Sequence, residues 1–183
     1  MRLADEGGFS LTEMLVVVSL TGVVLGGLST LFASGIRAQD ELNQRFQSQS
    51  QARVALDKMR TDAFCASAVT GSATSITLTT QADCDSTGTV KWCTTANGTG
   101  RYQLLRLSGS GTCSSAGRFY ADYLTTDAIF SIGTPTTSKL AEVKVDLRLK
   151  QRKMKTPYRH CDVLVLRNSQ RVATSPSTVA GTC

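Results

Sequence analysis

GFSLTEMLVVVSLTGVVLGGLSTLFASGI, residues 8–36, decides how the rest of the chain is read. From Phe9 to Ile36 the only formal charge is Glu13. At about 1.5 Å per residue these roughly 28 residues make about 42 Å of helix, against about 30 Å of bilayer hydrocarbon. A carboxylate near the start of such a run is costly in lipid, about 2.5–3.5 kcal/mol at the bilayer centre and less near an interface. Its presence needs a reason, and a cation brought by an adjacent helix would supply one.

The order Gly8-Phe9-Ser10-Leu11-Thr12-Glu13-Met14-Leu15 resembles the cleavage site and helix start of type IV prepilins and pseudopilins. The resemblance covers about 30 residues at the N-terminus. It implies a short leader (residues 1–8) removed between Gly8 and Phe9 by a prepilin peptidase, with the new amino terminus of Phe9 methylated. It also implies that Glu13 is the assembly carboxylate, set beside the amino terminus of a neighbouring subunit in a filament. In that family a segment of the apolar helix often unwinds on assembly. Many members carry a proline there, where this chain has Gly22, Gly26 and Gly27. Two readings of these glycines stand. One is flexibility, since each costs a helix up to about 1 kcal/mol relative to Ala. The other is close helix packing through Gly22-x-x-x-Gly26.

The chain has 183 residues and a formal charge of +6; loss of Arg2, Asp5 and Glu6 with the leader makes it one unit more positive. A basic balance favours anionic lipid or polyanions without naming a partner. An ordinary secretory signal fits poorly. The apolar run is about twice the usual 7–15 residues, and Ala33-Ser34-Gly35 is the only export-like cue. Arg37, Arg45 and Arg53 follow the span, so a positive-inside count alone places the C-terminal part inside. The resemblance and the cysteines place it outside, which is the expectation adopted: a single-pass protein of the bacterial cytoplasmic membrane, then a pilus or pseudopilus.

Cys65, Cys84, Cys93, Cys113, Cys161 and Cys183 all lie beyond the apolar run. An even count in an exported domain reads as up to three disulfides. Cys84 and Cys93 flank an expected hairpin and are taken to bridge. Cys161 with Cys183 would pin the tail, which leaves Cys65 with Cys113. This is one choice among the many pairings open to six cysteines. No CxxC spacing exists and His160 is the only histidine, so no metal or other cofactor is expected. No Gly-x-Ser-x-Gly elbow accompanies His160, so no catalysis is expected. Asp122 and Asp127 lack the tight acidic spacing of a calcium loop. Asn97-Gly98-Thr99, a glycosylation sequon, reads as a turn.

Past the span, Leu42, Phe46, Leu56, Met59 and Phe64 form an interrupted apolar stripe, with i,i+4 Glu41–Arg45 and i,i+3 Asp57–Arg60 pairs. One helix from about Ser10 to Ala68 is expected, covered along its stripe by a sheet. The period then changes. Strands are expected at 74–80, 89–93, 101–107, 118–124 and 128–132. Leu140–Lys150 alternates: Val143, Val145, Leu147 and Leu149 face one way, Glu142, Lys144, Asp146, Arg148 and Lys150 the other. Cys161–Arg167 is its expected hairpin partner. Residues 169–183 are irregular and end in a cysteine.

The order predicts an α+β fold, a long helix on one antiparallel sheet with a disulfide-tied tail. This agrees with the pilin fold. The expected divisions are 1–8 (leader), 9–36 (transmembrane and assembly half of the helix), 37–68 (exported half) and 69–183 (globular domain). Leu166-Arg167-Asn168 after the closing hairpin, and Asp127-Ala128-Ile129-Phe130 before the alternating strand, resemble minor pseudopilins of the J kind and minor pilins of the W kind. The expected partners are other pilins through the helix, the prepilin peptidase, an assembly-platform membrane protein, and membrane lipid before assembly. Arg148, Lys150, Arg152, Lys153, Lys155 and Arg159 surround Pro157. This run is a candidate grip for DNA phosphates or lipid headgroups, weighed against a merely solvated hairpin tip. The expected function is a minor subunit of a type IV pilus or type II secretion pseudopilus. The rivals are a DNA-capturing minor pilin and an anchored protein that never polymerises.

Overall fold

The computed structural model describes residues 10–81, 88–114, 117–133 and 135–169. The chain divides into two compact units, Met1–Leu42 and Asn43–Cys183.

Helix α1 runs from Leu11 to Cys65. Its part within the first unit is long and apolar enough to cross a membrane, and none of that apolar window is buried within the chain. The hydroxyls in this window do not oppose lipid. Ser19, Thr21, Ser29, Thr30 and Ser34 each donate to a carbonyl three or four residues back, at 2.7–2.9 Å.

In the second unit α1 packs on an eight-stranded antiparallel sheet. The strands are β1 (Ala66–Gly71), β2 (Ser75–Thr80), β3 (Thr89–Ala96), β4 (Tyr102–Ser108), β5 (Arg118–Leu124), β6 (Phe130–Gly133), β7 (Glu142–Leu149) and β8 (Tyr158–Val165). Their order is β1-β2-β3-β4-β5-β7-β6, with β8 paired to β7. β8 runs along the whole of β7, while β6 and β5 share its other edge. The sheet curls: the Ile129 and Phe130 amides donate to the Ala73 carbonyl at 2.9 and 3.0 Å, joining the start of β6 to the β1–β2 turn.

The alternation in β7 holds, with Val143, Val145, Leu147 and Leu149 buried. The β7–β8 hairpin forms as expected, although β8 begins earlier, at Tyr158. Two expectations are corrected. The helix stops at Cys65 rather than near Ala68, and Ala66–Gly71 is an additional strand paired with β2. Gly71 turns the chain at φ 146°, where an added Cβ would overlap the Ser75 carbonyl. The buried face of α1 is also not the expected stripe. Leu56 and Met59 are buried, but Phe46 (72 % exposed), Phe64 (57 %) and Leu42 point out. Ala52, Ala55 and Ala63 take the inner positions instead. A curled sheet comes closest to the helix along this face, and alanines leave room for it. Around them lie Ile76, Leu78, Val90, Trp92, Leu104, Leu124 and Leu164 from the sheet.

The cysteine pairing is corrected too. Cys93 of β3 bonds Cys113 of the β4–β5 connection, so neither Cys84–Cys93 nor Cys65–Cys113 forms. β3 alternates, which puts Trp92 toward the helix and Cys93 on the opposite face of the sheet. There Cys93 pairs in register with Leu105, and both are fully buried. Cys65 and Cys161 are disulfide-bonded as well. Cys84, Cys183 and the tail from residue 170 lie outside the described residues, as do Gly8 and Phe9.

Candidate functional site

Ser10 precedes the first helical residue, and Glu13 sits in the first turn of α1. The helix dipole favours a negative group there. Ser10 and Glu13 have capping-box spacing, yet the Ser10 hydroxyl bonds Thr12 Oγ1 at 2.8 Å. Glu13 has no hydrogen-bond or ion-pair partner among the described residues and is exposed. Around it Leu11, Met14, Leu15 and Val18 are exposed. A carboxylate in an apolar surface, with no neutralising partner among the described residues, is costly in lipid. Gly22, Gly26 and Gly27 are equally open, for a Cβ added at any of them would meet nothing within 4 Å. Packing among the described residues therefore does not require glycine there.

The other candidates are mostly occupied by structure. Arg101 pairs with Asp122 and lies 3.8 Å over the Tyr123 ring. Tyr123 has φ 62° at a bulge where the β4–β5 register shifts, and its amide donates to Asp122 Oδ1 at 2.6 Å. Burial pushes the Asp122 carboxyl up, but the Arg101 hydrogen bond, the Tyr123 amide and Arg101's charge together hold it below the ordinary 3.8. At Asp127 it is the backbone that is engaged: Thr94 Oγ1 donates to its carbonyl at 2.9 Å. No group of three metal-ligating side chains occurs among the described residues. His160 Nδ1 bonds Tyr158 Oη at 3.1 Å. Asn97 forms a turn as expected, its amide donating to the Arg101 carbonyl at 2.8 Å.

The basic run divides. Arg148 and Arg159 both engage Asp146, at 2.8 and 2.9 Å. Lys150, Arg152, Lys153 and Lys155 are exposed on the β7–β8 loop. That loop is anchored rather than free. Gln151 and Met154 are buried, Gln151 Nε2 donates to Ser48 Oγ at 3.3 Å, and the Lys153 amide donates to Gln44 Oε1 at 2.8 Å. Arg45 Nη2 donates to Thr156 Oγ1 at 3.1 Å.

One buried polar site escaped the sequence reading. Asp62 (5 % exposed) accepts from Trp92 Nε1 at 2.9 Å and from Arg106 Nε and Nη2 at 2.7 and 3.1 Å, with Lys58 Nζ at 3.4 Å. Only the i,i+4 spacing from Lys58 to Asp62 was visible in the sequence.

The fold is an α+β pilin-like layout, one long N-terminal helix and an antiparallel curled sheet with a disulfide. Residues 3–29 match the prokaryotic N-terminal methylation motif. The chain thus carries the prepilin-type methylation motif at the head of a long apolar helix, and the motif supports a type IV pilin- or pseudopilin-like processed subunit. It implies processing by a prepilin peptidase and assembly with other pilins, with membrane anchoring first. No curated protein and no solved structure matches the chain.

Proposed function

We propose that this chain is a minor pilin or pseudopilin, a structural subunit of a type IV pilus or secretion pseudopilus. It is cut between Gly8 and Phe9, methylated on Phe9, and held by α1 in the cytoplasmic membrane with residues 37–183 outside. It is then drawn into a bundle of like helices. Glu13 neutralises the amino terminus of a neighbouring subunit, which pairs a carboxylate and an ammonium that lipid would leave exposed. The open flanks of Gly22, Gly26 and Gly27 suit close approach of neighbouring helices, or unwinding of the helix during extraction.

The observation that carries this reading is the methylation motif at residues 3–29, set on an apolar helix whose membrane-length window is unburied among the described residues. The test is Glu13→Val in cells that make the filament. The variant is expected to be cut and to reach the membrane but to be missing from sheared filaments. Filament incorporation at the normal level overturns the assembly role. Mass spectrometry of the wild-type chain is expected to find methylated Phe9 at the N-terminus, and an uncut chain in piliated cells would falsify the whole reading.

A further inference from the structure

We infer that the outer edge of β8, at Val163 and Val165, receives an extended segment of a partner protein. The segment adds as a further strand, places an apolar side chain in the groove beside Phe64, and brings a carboxylate to Arg167. Every residue of this surface lies within the Asn43–Cys183 unit.

The backbone supplies the first observation. In an antiparallel pair, facing residues alternately exchange both hydrogen bonds and neither. The Leu166 amide donates to the Ala141 carbonyl at 2.9 Å, and these two residues continue the β7–β8 register. Leu164 with Val143, and Asp162 with Val145, are therefore the bonded pairs. The N–H and C=O groups of Val163 and Val165, which fall between, point off the sheet. The other edge of β7 agrees. Asp146, which faces Cys161, turns its amide away from β8 and donates to the Ile129 carbonyl at 2.9 Å. β8 pairs with β7 alone among the described strands.

The side chains supply the second. Open edges are usually blunted by charge or proline. β8 has both at its start, in Pro157 and Arg159, and Cys161 is disulfide-bonded. Farther along the edge Val163 and Val165 are exposed, as is Phe64 on the neighbouring helix. A groove of about 280 Å³ runs between them, with Ala63, Phe64 and Leu164 in its lining. Small-molecule sites occupy roughly 300–1,000 Å³, so this groove suits a side chain better than a cofactor.

Charge supplies the third. Arg60, on the rim, is held by Asp57 and Asp162. Arg167 stands 5.5 Å from the centre of the Phe64 ring and has no carboxylate partner among the described residues. The rim thus carries an unmatched positive charge, which an acidic residue on the incoming segment complements. In strand addition the main-chain bonds give affinity, and such side-chain contacts select the partner. Residues 170–183 contain no acidic residue and bring no matching side chain. A second copy pairing through its own β8 would bring Arg159 and Arg167 toward like charges.

The test uses the full chain in detergent micelles and a short peptide of alternating valine and glutamate. Amide exchange is read residue by residue by nuclear magnetic resonance. In the chain alone, the Val163 and Val165 amides are expected to exchange several-fold faster than that of Leu164. The peptide is expected to slow both several-fold and to leave Leu164 unchanged. A valine–lysine peptide is expected to protect them less, and Arg167→Glu to reverse that preference. No protection by the valine–glutamate peptide overturns the inference, as does equal protection by the valine–lysine peptide. Both comparisons are made on the unaltered chain, so they hold whether or not the variant folds. Undiminished protection by a valine–glutamate peptide N-methylated on alternate amides, which keeps the side chains and removes the bonds, overturns strand addition. Slow exchange at Val163 and Val165 in the chain alone overturns the inference as well. If that slowing grows with chain concentration, the edge belongs to a second copy; if it does not, the chain covers its own edge.

Discussion

Trp92 donates its indole N–H to Asp62 at 2.9 Å, joining the helix to the third strand through a hydrogen bond inside the core. Arg106 closes on the same carboxylate from the next strand. Burying a lone carboxylate is prohibitive, but one that receives an indole and a forked guanidinium is satisfied. The pair sets both how far along the sheet α1 lies and which of its faces is inward.

Asp62→Ala therefore removes the buried carboxylate that Arg106, itself only 12 % exposed, shares with Trp92. Breaking a buried pair from one side costs about 3–5 kcal/mol. Urea unfolding of the detergent-solubilised chain, followed by Trp92 fluorescence, is expected to show a loss toward the lower end of that range, because Lys58 is partly solvated. A midpoint matching the wild type refutes the role.

Ala52 and Ala55 are completely buried where the sheet lies on the helix. Ala55→Leu forces extra methylenes into that contact and is expected to cost about 1–3 kcal/mol. Phe46→Ala and Phe64→Ala, on the outer side, are expected to cost much less. Thermal unfolding of the three variants ranks them.

Asp146 is pushed up by burial but held below the ordinary 3.8 by the hydrogen bonds and charges of Arg159 and Arg148. A folded-state value below the unfolded one contributes stability that is complete above the unfolded value and lost as pH falls through the folded one. Asp122 acts in the same direction. Stability should therefore hold down to about pH 4 and fall below it. Asp146→Asn should flatten part of that acid limb, read as melting temperature against pH. An unchanged limb removes Asp146 from the account.

Cys93 and Cys113 are 20 residues apart. A loop of that size contributes about 2–4 kcal/mol when closed. Digestion without reduction is expected to release a Cys93–Cys113 linked peptide, and the double Ser variant to unfold earlier. A Cys84–Cys93 peptide instead contradicts the structure.

Several features were legible from residues 8–36 and 140–167 alone: the apolar run, the processing motif, the alternating strand and its hairpin. Each is written in neighbours within a few positions, by composition or by a period of two. What the tertiary structure decided lies between distant residues. Ala66–Ala68 reads as the end of a helix until β2 offers that stretch a ladder. Leu42, Phe46 and Phe64 look like core, while Ala52 and Ala55 are core, since how closely a curled sheet approaches a helix depends on every strand in it. Cys93 bonds Cys113 rather than Cys84 because strand alternation puts Cys93 on the face of the sheet away from the helix, where the β4–β5 connection brings Cys113 to it. Asp62 becomes the joint between helix and sheet only once Trp92 and Arg106, 30 and 44 residues away, fold over it. A local pattern can show which side chains leave water together, but their partners are set by the path of the whole chain.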